Sequence, residues 1–362
     1  MTKLLQGVSL RARVAAGFIL IVTLSTALAA FVGSRILSRA MLEEELKQLR
    51  QSLRSASMVY VFTRDSVRQS VQGAARSERL AIALEPGGRE ELPALLARIR
   101  EEQRLHFLTF VDTRSPRMLR ALERDLEQPG ADRLPILDYL KHALSGSTSA
   151  GTEVLPPVSL RREGQALAQQ ARIPIHPSPS PDARPEVDSG LTLLAAAPVE
   201  TRSGFKGVLY GGILLNRDTR LVTRIGDFVF GARHADDASD GIVSLHLGDV
   251  RVATNAATPD GEGETGTRAH GDIGRTVVSL GKTFFGRVHA GEDRQLAACQ
   301  PLRNRRNAVV GMLCVGISDK PLLDAQSSIT ANFLMVSGIG ALIVLGLAFF
   351  LTRAVTEARG GA

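Results

Sequence analysis

VAAGFILIVTLSTALAAFVG, residues 14–33, and FLMVSGIGALIVLGLAFFL, residues 333–351, are the two long uncharged apolar segments of this chain. A helix of about 20 residues rises roughly 30 Å, which matches the hydrocarbon thickness of a bilayer. The polar segment between the two would then lie on one side of the membrane. We therefore predict a two-pass membrane protein with one large extramembrane region.

Basic residues flank the two apolar segments on their outer sides. Lys3, Arg11 and Arg13 precede the first segment, and Arg353 and Arg359 follow the second. Short flanking segments rich in Lys and Arg remain in the cytoplasm. Both termini are therefore predicted to be cytoplasmic, with the large loop outside a bacterial inner (plasma) membrane.

A cleaved signal peptide is the alternative interpretation of the first segment. Ala27-Leu28-Ala29 fits a small-x-small cleavage site after residue 29. Against cleavage, the apolar run continues through residue 32, beyond the roughly 7–15 apolar residues of a signal peptide. We favour an uncleaved anchor, and both interpretations export the middle of the chain.

The composition is that of a folded exported domain, with 44% hydrophobic and 22% charged residues. The net charge of +7 is spread along the chain, no basic run alternates with aromatic residues, and Trp is absent. Neither this pattern nor the predicted compartment fits a nucleic-acid-binding protein.

A heptad pattern follows the first apolar segment. Its positions are Leu42, Leu46, Leu49, Leu53, Ala56, Tyr60, Thr63 and Val67, of which all but Thr63 form a predicted dimer seam. This spacing predicts a long helix with a narrow apolar face. The helix is either a stalk that pairs with a second copy or an amphipathic helix lying on its own domain, and different segments can do both. Ser337 and Ala341 give the second apolar segment a small face that also suits pairing in a homodimer.

Beyond this helix, the periodicity alternates between helices and antiparallel strands, which predicts an α+β fold. The stalk is predicted to end near residue 84, and the further predicted helices are 89–104, 134–144 and 220–230. The predicted strands are 106–112, 118–122, 151–155, 191–199, 207–215, 242–247, 250–254, 283–289, 295–302 and 308–317. Residues 176–190 are predicted to form a loop because they hold four prolines among Ser and Asp.

The two cysteines, Cys299 and Cys314, lie in the arms of the last predicted hairpin. A turn centred on Arg305 would place Cys299 opposite Gly311 and would send the two thiols to opposite faces of the ribbon. Two buried free thiols are therefore favoured, and a disulfide would require a shifted turn. The surrounding sequence contains no paired Cys or His motif for a metal.

Several motifs resemble the double Cache (Cache 3/Cache 2 fusion-like) extracytoplasmic sensors of bacterial transmembrane receptors. The motifs are GTEVLP (151–156), LYGGILLNR (209–217) with FVFG (228–231), LGDVRVATN (247–255) with GTR (266–268), ACQPL (298–302) and VGMLCVG (310–316). The resemblance covers roughly residues 35–320. It implies a long N-terminal helix that carries two PAS-like Cache modules and senses small extracellular molecules. Cys299 departs from the pattern, because an aromatic residue is usual there.

This interpretation divides the chain into seven parts. They are a cytoplasmic N-terminus (1–13), a transmembrane helix (14–33), a stalk helix (34–84), a membrane-distal Cache-like module (85–218), a linking helix with a membrane-proximal Cache-like module (219–330), a second transmembrane helix (331–352) and a short cytoplasmic tail (353–362).

Catalytic and metal-binding motifs are not evident. The seven histidines are scattered, and none has a metal-ligand spacing. GEGETG (261–266) formally matches a phosphate-binding loop, but its two glutamates would repel phosphate. We expect neither an enzyme nor a cofactor nor a metal.

The ligand site is predicted in the membrane-distal module. A carboxylate ligand would need Arg side chains in bidentate reach together with hydroxyl donors. The candidates are Arg114, Thr152, Arg161, Arg162, Arg172 and Tyr210. The expected partners are a small extracellular solute (a carboxylate is one candidate), a second copy of the chain, the lipid bilayer and a cytoplasmic output protein.

The predicted function is therefore the input half of a chemoreceptor or sensor kinase. The alternative is a membrane-anchored accessory protein that uses a Cache-like fold to bind another envelope protein. Residues 352–362 are too few to fold an output domain, so we expect this chain to have no enzymatic activity of its own.

Overall fold

The computed structural model describes residues 10–85, 90–112, 135–176, 185–201, 204, 206–231, 241–256, 265–290 and 293–318, with scattered positions between 331 and 350. Two compact units are present. One comprises Gln48–Ser318, and the other comprises Met1–Lys47 with Asp319–Ala362. Among the described residues, no helix combines the length and the apolar character needed to cross a bilayer. The second predicted span, 333–351, lies largely outside the described residues.

Helix α1 runs without a break from Leu10 to Ala75. From Leu49 onward its heptad positions are buried within the chain, including Leu53, Ala56 and Val67. These members of the predicted dimer seam therefore pack on their own domain, which is the alternative arrangement considered for this helix. Leu42 and Leu46 are half-exposed.

The helix ends earlier than predicted because a second helix begins directly after it. The Ser77 side chain accepts a hydrogen bond from the backbone N–H of Leu80 and caps α2 (Glu78–Ala83). Helix α3 (Leu92–Glu102) follows, with a proline in its first turn, where a missing N–H costs little.

The first sheet consists of four antiparallel strands in the order β1-β6-β5-β2. Their bounds are β1 (Phe107–Asp112), β2 (Ser149–Leu155), β5 (Gly190–Glu200) and β6 (Lys206–Leu214). One face is covered by α4 (Pro135–Leu144), α5 (Pro157–Glu163) and α6 (Gln165–Ala171). The opposite face contacts α1, where the Tyr60 hydroxyl lies 2.7 Å from the Thr152 hydroxyl. We call this sheet with α4–α6 the first module.

A buried asparagine ties the ends of this module together. The Asn216 side chain accepts a hydrogen bond from the Leu191 N–H and donates to the carbonyls of Ala171 and Ser189. It thereby joins the end of α6 to the start of β5 just after β6 ends. Short β3 (Ile173–Pro174) and β4 (Glu186–Val187) pair nearby.

The second module contains a five-stranded antiparallel sheet in the order β8-β7-β11-β10-β9. Its strands are β7 (Ile242–Leu247), β8 (Val250–Thr254), β9 (Phe284–Ala290), β10 (Asp293–Arg303) and β11 (Val309–Ser318). Helix α7 (Thr219–Phe230) packs on β7 and β8, and Asp218 caps it. Helix α8 (Gly271–Ile273) continues as a π-helical turn, Gly274–Ser279, that packs on β10 and β11.

The α+β class, the long helix and the antiparallel sheets agree with the prediction. The strand predicted at 118–122 lies outside the described residues. Sequence reasoning missed α5, α6 and the helical segment 271–279. Each of these elements is too short to show helical periodicity, and prolines or glycines adjoin them.

The prediction of two free thiols is wrong, because Cys299 and Cys314 form a disulfide. The two residues pair directly across β10 and β11, with 4.1 Å between their Cα atoms. A bulge between Leu302 and Arg303 shifts the register and places both cysteines on one face. Both lie in the apolar cluster under the π-helical turn, beside Val277.

This disulfide should stabilise the second module through the loop that it closes. A separation of 15 residues corresponds to about 3 kcal/mol of lost unfolded-state entropy. Urea denaturation of the full chain should therefore give an unfolding free energy about 2–3 kcal/mol lower for Cys299→Ala/Cys314→Ala. The wild type in excess reductant keeps both sulfur atoms and is the control. Equal stability of the reduced and oxidised wild type would contradict the prediction.

Candidate functional site

A row of four paired residues crosses the helix-covered face of the first sheet. Ser149 pairs with Ala196, Ala196 with Tyr210, and Tyr210 with Thr109. Residues directly opposite each other in antiparallel strands point to the same face. The neighbouring rows on this face are apolar, with Phe107, Leu194, Val208 and Val111 in the buried cluster. We call Ser149, Ala196, Tyr210 and Thr109 the polar row.

Glu163, the last residue of α5, completes the polar row at the β1 side. Its Oε1 accepts a 2.6 Å hydrogen bond from the Tyr210 hydroxyl, and its Oε2 accepts a 2.7 Å bond from the Thr109 hydroxyl. Burial raises the pKa of Glu163, while these two bonds and the charge of Arg162 act in the opposite direction. Burial and the neighbouring Glu163 raise the pKa of Tyr210 well above its ordinary value, so its phenol stays neutral.

Ser149 stands at the other end of the polar row, and only 5% of its surface is exposed. Its hydroxyl has no hydrogen-bond partner among the described residues. A buried polar group without a partner costs about 1–3 kcal/mol. The site therefore contains a hydroxyl that a bound molecule or a water can satisfy.

A second tyrosine–glutamate pair lies on the same face. The Tyr139 hydroxyl donates a 3.1 Å hydrogen bond to Oε1 of Glu153, and the same oxygen accepts a 3.1 Å bond from the Arg305 N–H. Gly151 leaves room for this tyrosine, because a Cβ at that position would overlap the Tyr139 hydroxyl. Burial is the main cause that raises the pKa of Glu153.

Arg305 belongs to the turn between β10 and β11, residues 304–307, which we call the hairpin tip. Its guanidinium lies 5.6 Å from the centre of the Tyr139 ring. The next residue, Arg306, forms a 2.6 Å ion pair with Asp138 of α4. The hairpin tip of the second module therefore binds directly to the first module.

The structure separates the residues that the sequence suggested as ligand contacts. Tyr210 lies in the polar row, and Arg161 and Arg162 are exposed near it on α5. Thr152 is on the opposite face of the sheet, where its hydroxyl meets Tyr60, so it cannot share a pocket with Tyr210. The exposed Arg172, whose carbonyl accepts a bond from Arg217, lies apart from the row. Arg114 falls outside the described residues.

Sequence reasoning missed Glu163, Thr109, Ser149 and Glu153. Glu163 gave no signal because α5 itself was not predicted. Thr109 and Ser149 could have been found by aligning the predicted strands, since both pair into the row that contains Tyr210.

His246 of β7 is the histidine with the strongest perturbation, and its role is structural. Burial lowers the pKa of His246 to about 3. Its ring contacts the Ser244 hydroxyl at 3.0 Å and the Asp249 carbonyl at 3.3 Å. Within the described ranges, no three His, Cys, Asp or Glu side chains are grouped closely enough to hold a metal ion.

Glu153 should be the main polar link between the modules. Glu153→Ala leaves the Arg305 N–H and the Tyr139 hydroxyl without their acceptor, and each orphaned donor costs about 1–3 kcal/mol. We expect the unfolding free energy from urea denaturation to fall by about 2–4 kcal/mol. Glu153→Gln keeps an acceptor and should cost less than about 1 kcal/mol.

The stabilities of these two variants should also depend on pH differently from that of the wild type. Because the folded state raises the pKa of Glu153, this group favours folding most below the unfolded pKa of about 4.3. Its contribution is lost as pH rises through the raised folded pKa. Glu153→Gln should flatten the part of the stability curve that lies above the unfolded pKa of about 4.3. If Glu153→Ala were as stable as the wild type at every pH, the role of Glu153 as a link between the modules would be refuted.

Residues 213–329 match the family model for single Cache domain 3. The matched segment begins in the last residues of β6 and contains the whole second module. The sequence matches no curated protein.

Two solved structures are similar to the chain at low identity. The periplasmic domain of Vibrio cholerae LuxQ is 12% identical, with 75% of this chain and 99% of that chain covered at a TM-score of 0.40. The ligand-binding domain of the Campylobacter jejuni chemoreceptor Tlp3, in complex with L-valine, is 10% identical, with 80% and 97% covered at a TM-score of 0.39. The family match over residues 213–329 confirms the predicted resemblance to Cache sensors.

Proposed function

We propose that this chain is the extracytoplasmic small-molecule sensor of a two-pass bacterial receptor of the chemoreceptor or sensor-kinase type. The polar row in the first module is the ligand site. The observation that carries this proposal is a row with three hydroxyls and a glutamate between two apolar rows of the same sheet face. Pockets that combine an apolar surround with a few convergent polar groups are typical of small-molecule sites.

The solvent exposure of one end of the polar row supports ligand binding there. Glu163 and Thr109 are partly exposed at the β1 edge of the sheet, whereas Tyr210 and Ser149 are buried further in. A ligand can therefore contact Glu163 and Thr109 from the edge, whereas contact with the buried Ser149 hydroxyl requires the covering helices α4–α6 to shift. Of the residues suggested by sequence, the proposal keeps Tyr210 as a contact and places Arg161 and Arg162 at the rim.

The signal would pass from the first module to the second through two polar connections. The first is the hairpin tip, held by Glu153 and Asp138. The second is α1, which contacts both sheets: the Ser57 hydroxyl accepts a 2.8 Å bond from Gln300 of β10, and Tyr60 meets Thr152 of β2. A shift of one sheet against the other would move α1 and β11, which lead toward the two predicted spans.

We further propose that the receptor is a homodimer, with α1 as the contact. The described surface of α1 exposes an apolar strip of Met58 (62%), Val61 (38%) and Phe62 (73%) at helical spacing. This strip replaces the predicted seam, whose members from Leu49 onward are covered by the chain itself. The same strip could serve the alternative function, an accessory protein that binds another envelope protein.

The ligand site can be tested by thermal shift of the full chain in detergent against small acids, amines and amino acids. Tyr210→Phe removes one hydroxyl from the polar row, and Thr152→Val removes one from the opposite face as a matched control. We expect a stabilising compound whose affinity falls about 5–10-fold in Tyr210→Phe, the loss typical of one hydrogen bond. Thr152→Val should bind like the wild type. No stabilising compound, or equal losses in both variants, would count against the site.

Disulfide trapping can distinguish the two faces of α1. Single cysteines at Met58 and Phe62 should crosslink two chains in membranes, whereas cysteines at Leu53 and Ala56 should not, because those positions are buried within the chain. Crosslinks that peak at Leu53 and Ala56 would restore the original seam. Crosslinks to a different protein at Met58 and Phe62 would favour the accessory function.

A further inference from the structure

The hydrogen-bonding capacity left in the polar row is mostly that of an acceptor. Each oxygen of Glu163 accepts one hydroxyl bond, and a carboxylate has about four lone-pair positions. The Tyr210 and Thr109 hydroxyls both donate their hydrogen bonds to Glu163, so each of them can only accept further hydrogen bonds. A molecule that binds here must therefore donate hydrogen bonds.

Charge points in the same direction. Within the part of the chain that the structure describes, the two hydrogen-bond partners of the partly buried Glu163 are neutral hydroxyls, and the cation that acts on it is the exposed Arg162 of the same helix. The loss of hydration of a carboxylate is offset best by a cation in direct contact. A carboxylate ligand at this end would face repulsion from Glu163.

We propose that the polar row binds a small organic ammonium compound, with Glu163 as its counter-ion. This inference rests on the proposed function and names the ligand class of that site. The ammonium group donates to Glu163 and to the oxygens of Tyr210 and Thr109. It replaces the carboxylate ligand that the arginine candidates suggested.

The length of the row defines the rest of the ligand. Thr109 and Ser149 lie three strand spacings apart, which is about 14 Å. Ala196 separates Tyr210 from Ser149, and the covering helices contribute Ala143, Ala168 and Ala171 to the same cluster. The short apolar side chain of Ala196 between the two polar ends suits an apolar linker. Ser149 then meets a second polar group at the far end of the ligand.

Binding should be linked to a proton. The groups that face Glu163 are Tyr210 from β6, Thr109 from β1 and Arg162 from α5. Burial favours the protonated acid in the free protein, whereas an ammonium ligand requires the carboxylate. Wherever Glu163 is still protonated in the free protein, ligand binding releases its proton, and the apparent affinity rises with pH until Glu163 is ionised.

Isothermal titration of the full chain in lipid nanodiscs can test the ligand class. The probes are α,ω-diamines, diols and dicarboxylates of three to six carbons, which share length and differ in end-group charge. We expect the best diamine to bind at least 10-fold more tightly than the matched diol, and dicarboxylates not to bind. Glu163→Gln should weaken the diamine at least 10-fold and remove the proton release, and Ser149→Ala should weaken it a few-fold. Glu153→Gln, which changes the other buried glutamate on this face, should bind like the wild type.

The outcomes separate the ligand class from the function. Tighter binding of a diol or dicarboxylate that Tyr210→Phe weakens would overturn the ammonium proposal and leave the sensor function intact. Diamine binding that Glu163→Gln does not change would also overturn it. If no probe and no library compound binds, both proposals fail. Should Glu163→Gln fold poorly by circular dichroism, Tyr210→Phe and Thr109→Val must each weaken the diamine, or the proposal is rejected.

Discussion

The first sheet is covered on both faces, and this constraint determines where each of its polar side chains can go. Side chains alternate between faces along a strand, so Thr152 points to α1 while its neighbour Glu153 points to α4–α6. Every buried polar group on either face needs a partner from the layer above it. Thr152 finds Tyr60 on one face, and Glu153 finds Tyr139 on the other. Two adjacent residues thereby serve different layers of the fold.

The same constraint explains how the two modules are joined. A sheet with both faces covered has only its edges open, and β2 is one of the edges. The hairpin tip reaches the Glu153 carboxylate of this edge strand, and α1 crosses from the first sheet to β10 by way of Ser57. Contacts at an edge and along a shared helix allow the modules to move as bodies without opening either core.

Sequence alone predicted the α+β class, the long helix and most strands, because periodicity is strong where one face is buried. Prediction from sequence failed where the identity or register of a single residue decides which side chains meet. A turn centred on Arg306 instead of Arg305 shifts the partner of Cys299 by two residues, and the bulge after Leu302 shifts it by one more, from Gly311 to Cys314. The single-residue step at the bulge reverses the face. The seven-residue α5 shows no periodicity, so Glu163 was invisible. The arginine candidates came from an assumed carboxylate ligand, and residue type does not reveal which side chains converge. Asn216 was part of a quoted motif, but only the structure shows that it joins three segments.

The two tyrosine–glutamate pairs use the same local chemistry and differ in how fully the glutamate is hydrogen-bonded. Glu153 accepts a backbone N–H as well as a phenol, and Arg305 and Arg306 from the second module bring positive charge to it and to Asp138. Among the described residues, Glu163 accepts two hydroxyl hydrogens, and the cation that acts on its pKa is Arg162 of its own helix. Burial raises the pKa of both carboxyls, and a partner that donates to the charged form opposes that effect. The protein supplies this partner at Glu153 through the hairpin tip. At Glu163 the proposed ligand would supply the equivalent partner, and its arrival would change the charge of the layer that the two pairs share. The fold thus places a complete and an incomplete copy of one interaction on the same sheet face, with the complete copy at the junction to the second module.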